Sequence, residues 1–249
     1  NGFMSNFLLH PGSSKRVAWD LTGAVLLVWD IVMIPVSVFG PEQTPLTIGM
    51  DWLTMLFWTF DVLMSLLTGV VEQGVVNMDP AFIFRRYLVT WMALDLVVVI
   101  PDWVITIIAL RAGQEGGGNK MGKTLRILRI GRTGRLLRLA KLQQILQVLS
   151  EHIESEASFI VISVVKLLAV LLMLNHFLGA MWYGIGSFGQ EAGVPNWIEA
   201  SEDFPRRSLV YRYTTSFHWS ICMFTPGGMN VQPQNEGERT FAIVVLLFG

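Results

Sequence analysis

The chain has 249 residues, 52% of them hydrophobic and 15% charged, and a mean hydropathy of +0.51, values that place it among membrane proteins rather than soluble ones. Its formal net charge is -1, with one cysteine, Cys222, so an internal disulfide is excluded and no thiolate metal site is expected.

A membrane span needs roughly 20 mostly apolar residues. Residues 19–39 supply the first, followed by the turn-like GPEQTP at 40–45. Residues 51–71 supply the second and 87–110 the third, where Pro101 is expected to kink the helix or end its regular part. The glycines at 113–118 read as a loop, and a basic segment covers 121–149. A fifth apolar helix is expected over 156–187, then a polar outer connection over 188–209. Residues 210–224 read as a short aromatic helix that dips in from the outer side and returns through a loop at 225–230. Residues 240–249 open a sixth helix that reaches about 15 Å, half the hydrocarbon thickness. The chain begins Asn-Gly and ends inside this apolar run, so it reads as a fragment with a truncated last helix.

Loop charges set the orientation. Lys15, Arg16, Arg85, Arg86 and the end of the basic segment fall on one side if the segments alternate, and the positive-inside tendency makes that side, and the N-terminus, cytoplasmic. Glu42, Glu115, Glu191, Glu199, Glu202 and Asp203 fall opposite.

Lys120, Lys123, Arg126, Arg129, Arg132, Arg135, Arg138 and Lys141 recur at every third position and make up eight of the 18 Lys and Arg in the chain. On an α-helix this spacing winds slowly, and on a 3₁₀ helix it lines up, so either geometry offers successive cations to one polar path. Moving one elementary charge through the membrane potential is worth about 2.3 kcal/mol per 100 mV, which makes voltage sensing the leading reason to keep such an element in a membrane. Gly131 and Gly134 interrupt the stripe, either for close packing or for a change of helix type. A basic helix lying on the membrane surface is the alternative, but it has no need of strict three-residue spacing. A nucleic-acid role fits poorly beside several apolar spans.

Buried cations need partners, and the first three spans each supply an acid: Asp30, Asp61 and Asp95. Trp58 lies one turn before Asp61 on the same helical face and is placed to cap a narrow septum that cations pass one at a time, or else serves as an interfacial aromatic.

Several short stretches resemble the six-helix voltage-gated cation channel superfamily, on its branch of cyclic-nucleotide-gated, hyperpolarisation-activated and ether-a-go-go-type channels. They are PVSVF at 35–39, DVLMSLLTG at 61–69, Tyr87-Leu88 with Trp91, Asp95 and Ile100-Pro101, NHFLGAMWY at 175–183, and Asn196-Trp197-Ile198 before the helix from Tyr211. The resemblance implies an all-α membrane protein with a four-helix voltage sensor over 15–149 and a two-helix pore with a re-entrant pore helix over 156–249. It also implies three further, identical subunits around one pore, with sensor and pore of one subunit packed directly together. His176 within the fifth-helix motif reads as a packed or hydrogen-bonded residue rather than a metal ligand or pH sensor. No enzymatic cofactor is implied. A cyclic-nucleotide-binding domain often follows the sixth helix in that branch, outside this sequence.

The matching filter stretch is Thr225-Pro226-Gly227-Gly228-Met229, followed by Asn230, against the family's Thr, Val or Ile, Gly, Tyr or Phe, Gly. Potassium filters select through carbonyl oxygens at defined places. Pro226 fixes φ, Gly228 removes the bracing aromatic, Met229 stands where a glycine is expected, and Asn230 replaces an acid. A weakly selective pore for K+ and Na+ in the plasma membrane is therefore expected. A potassium-preferring pore and a non-conducting, voltage-sensing or modulatory subunit stay open. A secondary transporter fits less well, because no repeat is visible, and no P-loop, HExxH or nucleophile-base signature points to an enzyme.

Overall fold

The computed structural model of the protein describes residues 8–72, 75–114, 156–200 and 204–248. The basic stripe at 120–141, with Gly131 and Gly134, lies outside the described residues. Two units emerge from the packing: Asn1–Ile31 with Gln43–His152, and Val32–Glu42 with Ile153–Gly249.

In the first unit, α1 (Ser14–Ser37) starts where the Ser13 hydroxyl accepts from the Arg16 N–H at 3.4 Å. α2 (Pro45–Leu66) begins six residues ahead of the apolar run because Thr44 and Thr47 form a reciprocal capping box and Pro45 fits the first turn. The end of the expected second span is instead a hairpin, β1 (Val70–Glu72) against β2 (Val75–Asn77), a short addition to a mostly helical fold. Leu9 adds a parallel bridge to Thr68 through Leu9 N–H to Leu67 at 2.7 Å and Gly69 N–H to Leu9 at 3.0 Å.

The third apolar segment breaks at Trp91 and not at Pro101. α3 (Pro80–Thr90), capped by Asp79, meets α4 (Met92–Gln114) at a bend of 68°, and Pro101 is carried inside α4. The Tyr87 hydroxyl donates to Asp95 at 2.7 Å across that bend, a buried bond that holds the two pieces at their angle.

In the second unit, the C-terminal end of α1 closes with Gly40 at φ 65°. The 37-residue α5 (Glu156–Ala192) runs roughly 55 Å and ends in a Schellman motif, with Gly193 at φ 67° and Val194 N–H bonded to Gly189 at 3.1 Å. α6 (Leu209–Phe224) is capped by Ser208, and α7 (Glu236–Phe248) begins four residues ahead of the apolar run because Asn235 caps it.

Gly179 lets α6 cross α5 closely: a Cβ there would sit 3.0 Å from the Ser216 carbonyl and 3.1 Å from Phe217 Cα. Below the crossing Asn175 accepts from Ser220 at 2.8 Å, and above it Trp182 stacks on Trp219 with centroids 3.9 Å apart and planes 3° from parallel. Trp182, Trp219, Trp197, Phe204 and Phe39 form the centre of the buried cluster.

Helices α1, α2 and the 160–192 stretch of α5 are each long and apolar enough to cross a membrane, and the bent α3–α4 pair makes a fourth span if counted as one. Only 11% of the most apolar window of α5 is buried, so Ile160, Val164, Leu167, Leu168 and their neighbours present an apolar surface of the kind a bilayer covers.

Candidate functional site

Asp30, Asp61 and Asp95 are exposed by only 3%, 5% and 5%, and Trp58 by 6%. Because a carboxylate held away from water costs several kcal/mol without compensating partners, their surroundings are the informative part. Asp61 Oδ1 accepts from the Trp19 indole at 2.9 Å and lies 3.9 Å from the Arg16 guanidinium. Arg16 is itself held by Asp20, at 2.7 Å and 3.1 Å through two nitrogens, and by the Thr68 hydroxyl at 3.2 Å.

An aromatic wall adjoins this acid. Trp19 stacks on Phe57 at 4.4 Å, and Phe57 meets Trp58 edge-on at 5.3 Å. Gly23 makes room, since a Cβ there would lie 3.2 Å from the Phe57 ring. The Tyr87 phenol, buried at the bend, satisfies another of the acids through its bond to Asp95. On α4, Trp103 donates to Thr59 at 3.0 Å and Thr106 to the Met55 sulfur at 3.5 Å, which fixes α4 against α2.

Two members of this cluster, Trp19 and Arg16, carry no mark in the sequence beyond the first residue of a span and a topogenic charge, and a further buried acid on α4 was missed with them. Asp102, buried at 2% exposure, stands beside the proline where helix was expected to stop. Its spacing of seven from Asp95, two turns on one face, was the signal that could have found it.

The loop after α6, in the second unit, is a separate candidate site. Thr225 is extended, with φ -132° and ψ 156°, and its carbonyl accepts from the Gly227 N–H at 2.7 Å, a three-residue turn about Pro226. A side chain at 227 has no room, since its Cβ would lie 2.8 Å from Cys222 Sγ. Among the described residues the positive-φ glycines are Gly40 and Gly193, so neither Gly227 nor Gly228 uses a left-handed backbone. Met229 packs against the aromatic cluster while its carbonyl accepts from the Gln232 side-chain amide at 3.1 Å. Gly228, Met229 and Asn230 border a cleft of about 660 Å³ that Thr214, His218 and Trp197 also line.

His176 is a bridging residue. Its Nε2 lies 3.1 Å from the Val32 carbonyl, an acceptor only, so that nitrogen carries the proton, and its Nδ1 lies 2.9 Å from the Tyr213 hydroxyl.

Residues 16–249 match the profile of the family described as "Ion transport protein". The chain is similar to the human potassium/sodium hyperpolarization-activated cyclic nucleotide-gated channel 3, with 32% identity over 126 residues, 49% of this chain and 16% of that protein. Human channel 4 of the same series is 36% identical over 187 residues, 71% of this chain and 15% of that protein. Human channel 2 is 33% identical over 214 residues, 82% of this chain and 22% of that protein. The chain thus spans about a fifth or less of the length of these relatives.

Proposed function

This chain belongs to the ion transport protein family, in the voltage-gated cation channel superfamily on its hyperpolarisation-activated and cyclic-nucleotide-gated branch, and we propose that it is one subunit of a tetrameric, voltage-responsive, cation-conducting pore. The observation that carries the reading is Asp61, a carboxylate buried inside an apolar helix and oriented by the Trp19 indole beside an aromatic wall. It is the kind of fixed negative site that a stripe of cations at three-residue spacing needs. Residues 15–149 act as the sensor, with Arg126, Arg129, Arg132 and Arg135 as the central moving charges. Lys120, Lys123, Arg138 and Lys141 flank them. Asp30, Asp61 and Asp95 are the counter-charges, and Trp58 is part of the septum between the aqueous sides.

Residues 156–249 form the pore, with α6 as pore helix and 225–230 as the narrow part of the conduction path. Permeation is weakly selective among monovalent cations. The Thr225 and Met229 carbonyls each accept a hydrogen bond from their own chain, at 2.7 Å and 3.1 Å, and this leaves them less able to replace the water around an ion. The same two bonds favour a non-conducting sensor subunit as the second reading. The relatives' names carry cyclic nucleotides, and regulation of this protein by them through a segment outside this sequence is part of the proposal. The N-terminus is cytoplasmic and the membrane is the plasma membrane.

Reconstitution of the full-length protein with voltage clamp in ion-substituted solutions tests these assignments together. Voltage-dependent currents that reverse between the K+ and Na+ equilibrium potentials support them. Gating currents without ionic current support the second reading, and the absence of both opposes the two alike.

A further inference from the structure

Glu238 is the most deeply buried carboxylate among the described residues, at 0% exposure in the first turn of α7. Its two oxygens serve two different loops: Oε1 accepts from the Trp197 backbone N–H at 3.1 Å and Oε2 from the Gln234 backbone N–H at 2.8 Å. In an ordinary capping box a glutamate in this place turns back to the N–H of the cap residue itself. Here the carboxylate reaches past Asn235 to its neighbour and to the outer connection. Asn235 completes the knot, accepting from the Glu238 N–H at 2.9 Å and donating to the Pro195 carbonyl at 2.8 Å. One ionised acceptor at the positive end of a helix therefore ties residues 195–197, residues 234–235 and α7 together, and bonds to such an acceptor are stronger than neutral ones.

A line of hydrogen bonds leads from this knot to the loop after α6. The Gln234 side-chain amide donates to the Gln232 carbonyl at 3.0 Å, and the Gln232 side-chain amide donates to the Met229 carbonyl at 3.1 Å. The Met229 side chain is meanwhile held against the aromatic cluster. The Met229 carbonyl thus accepts from Gln232, whose own carbonyl accepts from Gln234, whose N–H is held by Glu238; the two side-chain links lie at the surface and the last is part-buried.

We propose that Glu238 is a positioning residue for cation selection: through Gln234 and Gln232 it fixes the Met229 carbonyl at the outer end of the 225–230 loop. The proposal rests on that loop lining the conduction path. Glu238 itself touches no ion.

Glu238→Gln keeps the size of the side chain but sets an amide N–H₂ against a backbone donor, breaking one of the two loop contacts. Glu238→Asp keeps the charge on a shorter arm. Gln232→Glu removes the donor to Met229 and leaves the knot intact. In the full-length protein, Glu238→Gln is expected to change the K+/Na+ permeability ratio by about threefold or more. It is also expected to speed amide hydrogen exchange at whichever of Trp197 and Gln234 loses its acceptor to the new N–H₂, with the midpoint of charge movement unchanged. Glu238→Asp falls between it and the native protein, whereas Gln232→Glu changes the ratio without changing exchange at Trp197. A Glu238→Gln protein with native permeability ratio and native exchange overturns the proposal. Should that variant fail to assemble, Gln232→Glu together with the uncharged Gln232→Met decides: a ratio unchanged in Gln232→Met overturns the link from knot to loop, and one changed in both upholds it. A native protein without ionic current defeats the conduction reading instead. Exchange then judges the knot by itself: faster exchange at both amides in Glu238→Asp upholds Glu238 as the tie between residues 197 and 234, and unchanged exchange overturns it.

Discussion

The Trp19 indole N–H donates to Asp61 Oδ1 at 2.9 Å, which joins the start of the first span to the acid of the second. The bond is charge-assisted, and removing a donor to a charged group is worth about 1.5–3 kcal/mol. Trp19→Phe keeps the stack on Phe57 and deletes only the N–H. With about three charges moving, each worth about 2.3 kcal/mol per 100 mV, that loss corresponds to a shift of about 20–40 mV in the midpoint of charge movement. A carboxylate with one donor fewer attracts the moving cations more strongly. Since it lies toward the cytoplasmic end in the proposed topology, the midpoint moves toward depolarised potentials. Gating-current recordings read the shift, with total charge unchanged.

Arg16 acts on the same acid from 3.9 Å, while Asp20 holds it in a paired geometry. Arg16→Gln removes a resident cation that competes with the stripe for Asp61. The midpoint is expected to move in the same depolarised direction, by less than in Trp19→Phe because the guanidinium is more distant and Asp20 takes most of its charge. Comparing the two variants in gating-current recordings checks the order.

The α5–α6 crossing depends on an absent side chain. Gly179→Val puts methyl groups where a Cβ alone would already lie 3.0 Å from the Ser216 carbonyl, and overpacking of this sort costs about 1–3 kcal/mol. Thermal unfolding of the detergent-solubilised protein is expected to show that loss, together with weaker seating of the Asn175–Ser220 bond.

Gly227 faces Cys222 so closely that its Cβ would lie 2.8 Å from the sulfur. Gly227→Ala is therefore expected to displace the loop and lower single-channel conductance, and Cys222→Ala is expected to restore part of it. A double-mutant cycle on conductance measures the coupling, which is close to zero if the two residues act independently.

Much of this arrangement was readable from residue types. Asp30, Asp61 and Asp95 announce themselves because an acid inside an apolar run needs a reason, and α6 is bracketed by Ser208 as cap and Thr225 as the return to extended chain. What escaped depends on local geometry that hydropathy does not register. Val70 and Val71, which open the hairpin, read as the tail of a span, because valine suits a buried helix as well as a strand. The bend at Trp91 carries no proline or glycine to mark it, while Pro101, which looked like the breaker, is absorbed into α4. The early start of α7 was legible in principle, since Asn235 followed three residues later by Glu238 is a capping signature. The use of that glutamate to gather two loops depends on tertiary approach and has no sequence mark.

The most direct test of voltage sensing by the basic stripe against buried acids is the charge–voltage relation of the full-length protein as Arg126, Arg129, Arg132 and Arg135 are neutralised to glutamine singly and then together. The expected result is a slope that becomes shallower with single replacements and a loss of most mobile charge in the quadruple variant, with Asp61→Asn shifting the midpoint. Charge movement of native slope and size in the quadruple variant, at native amounts in the membrane, contradicts it.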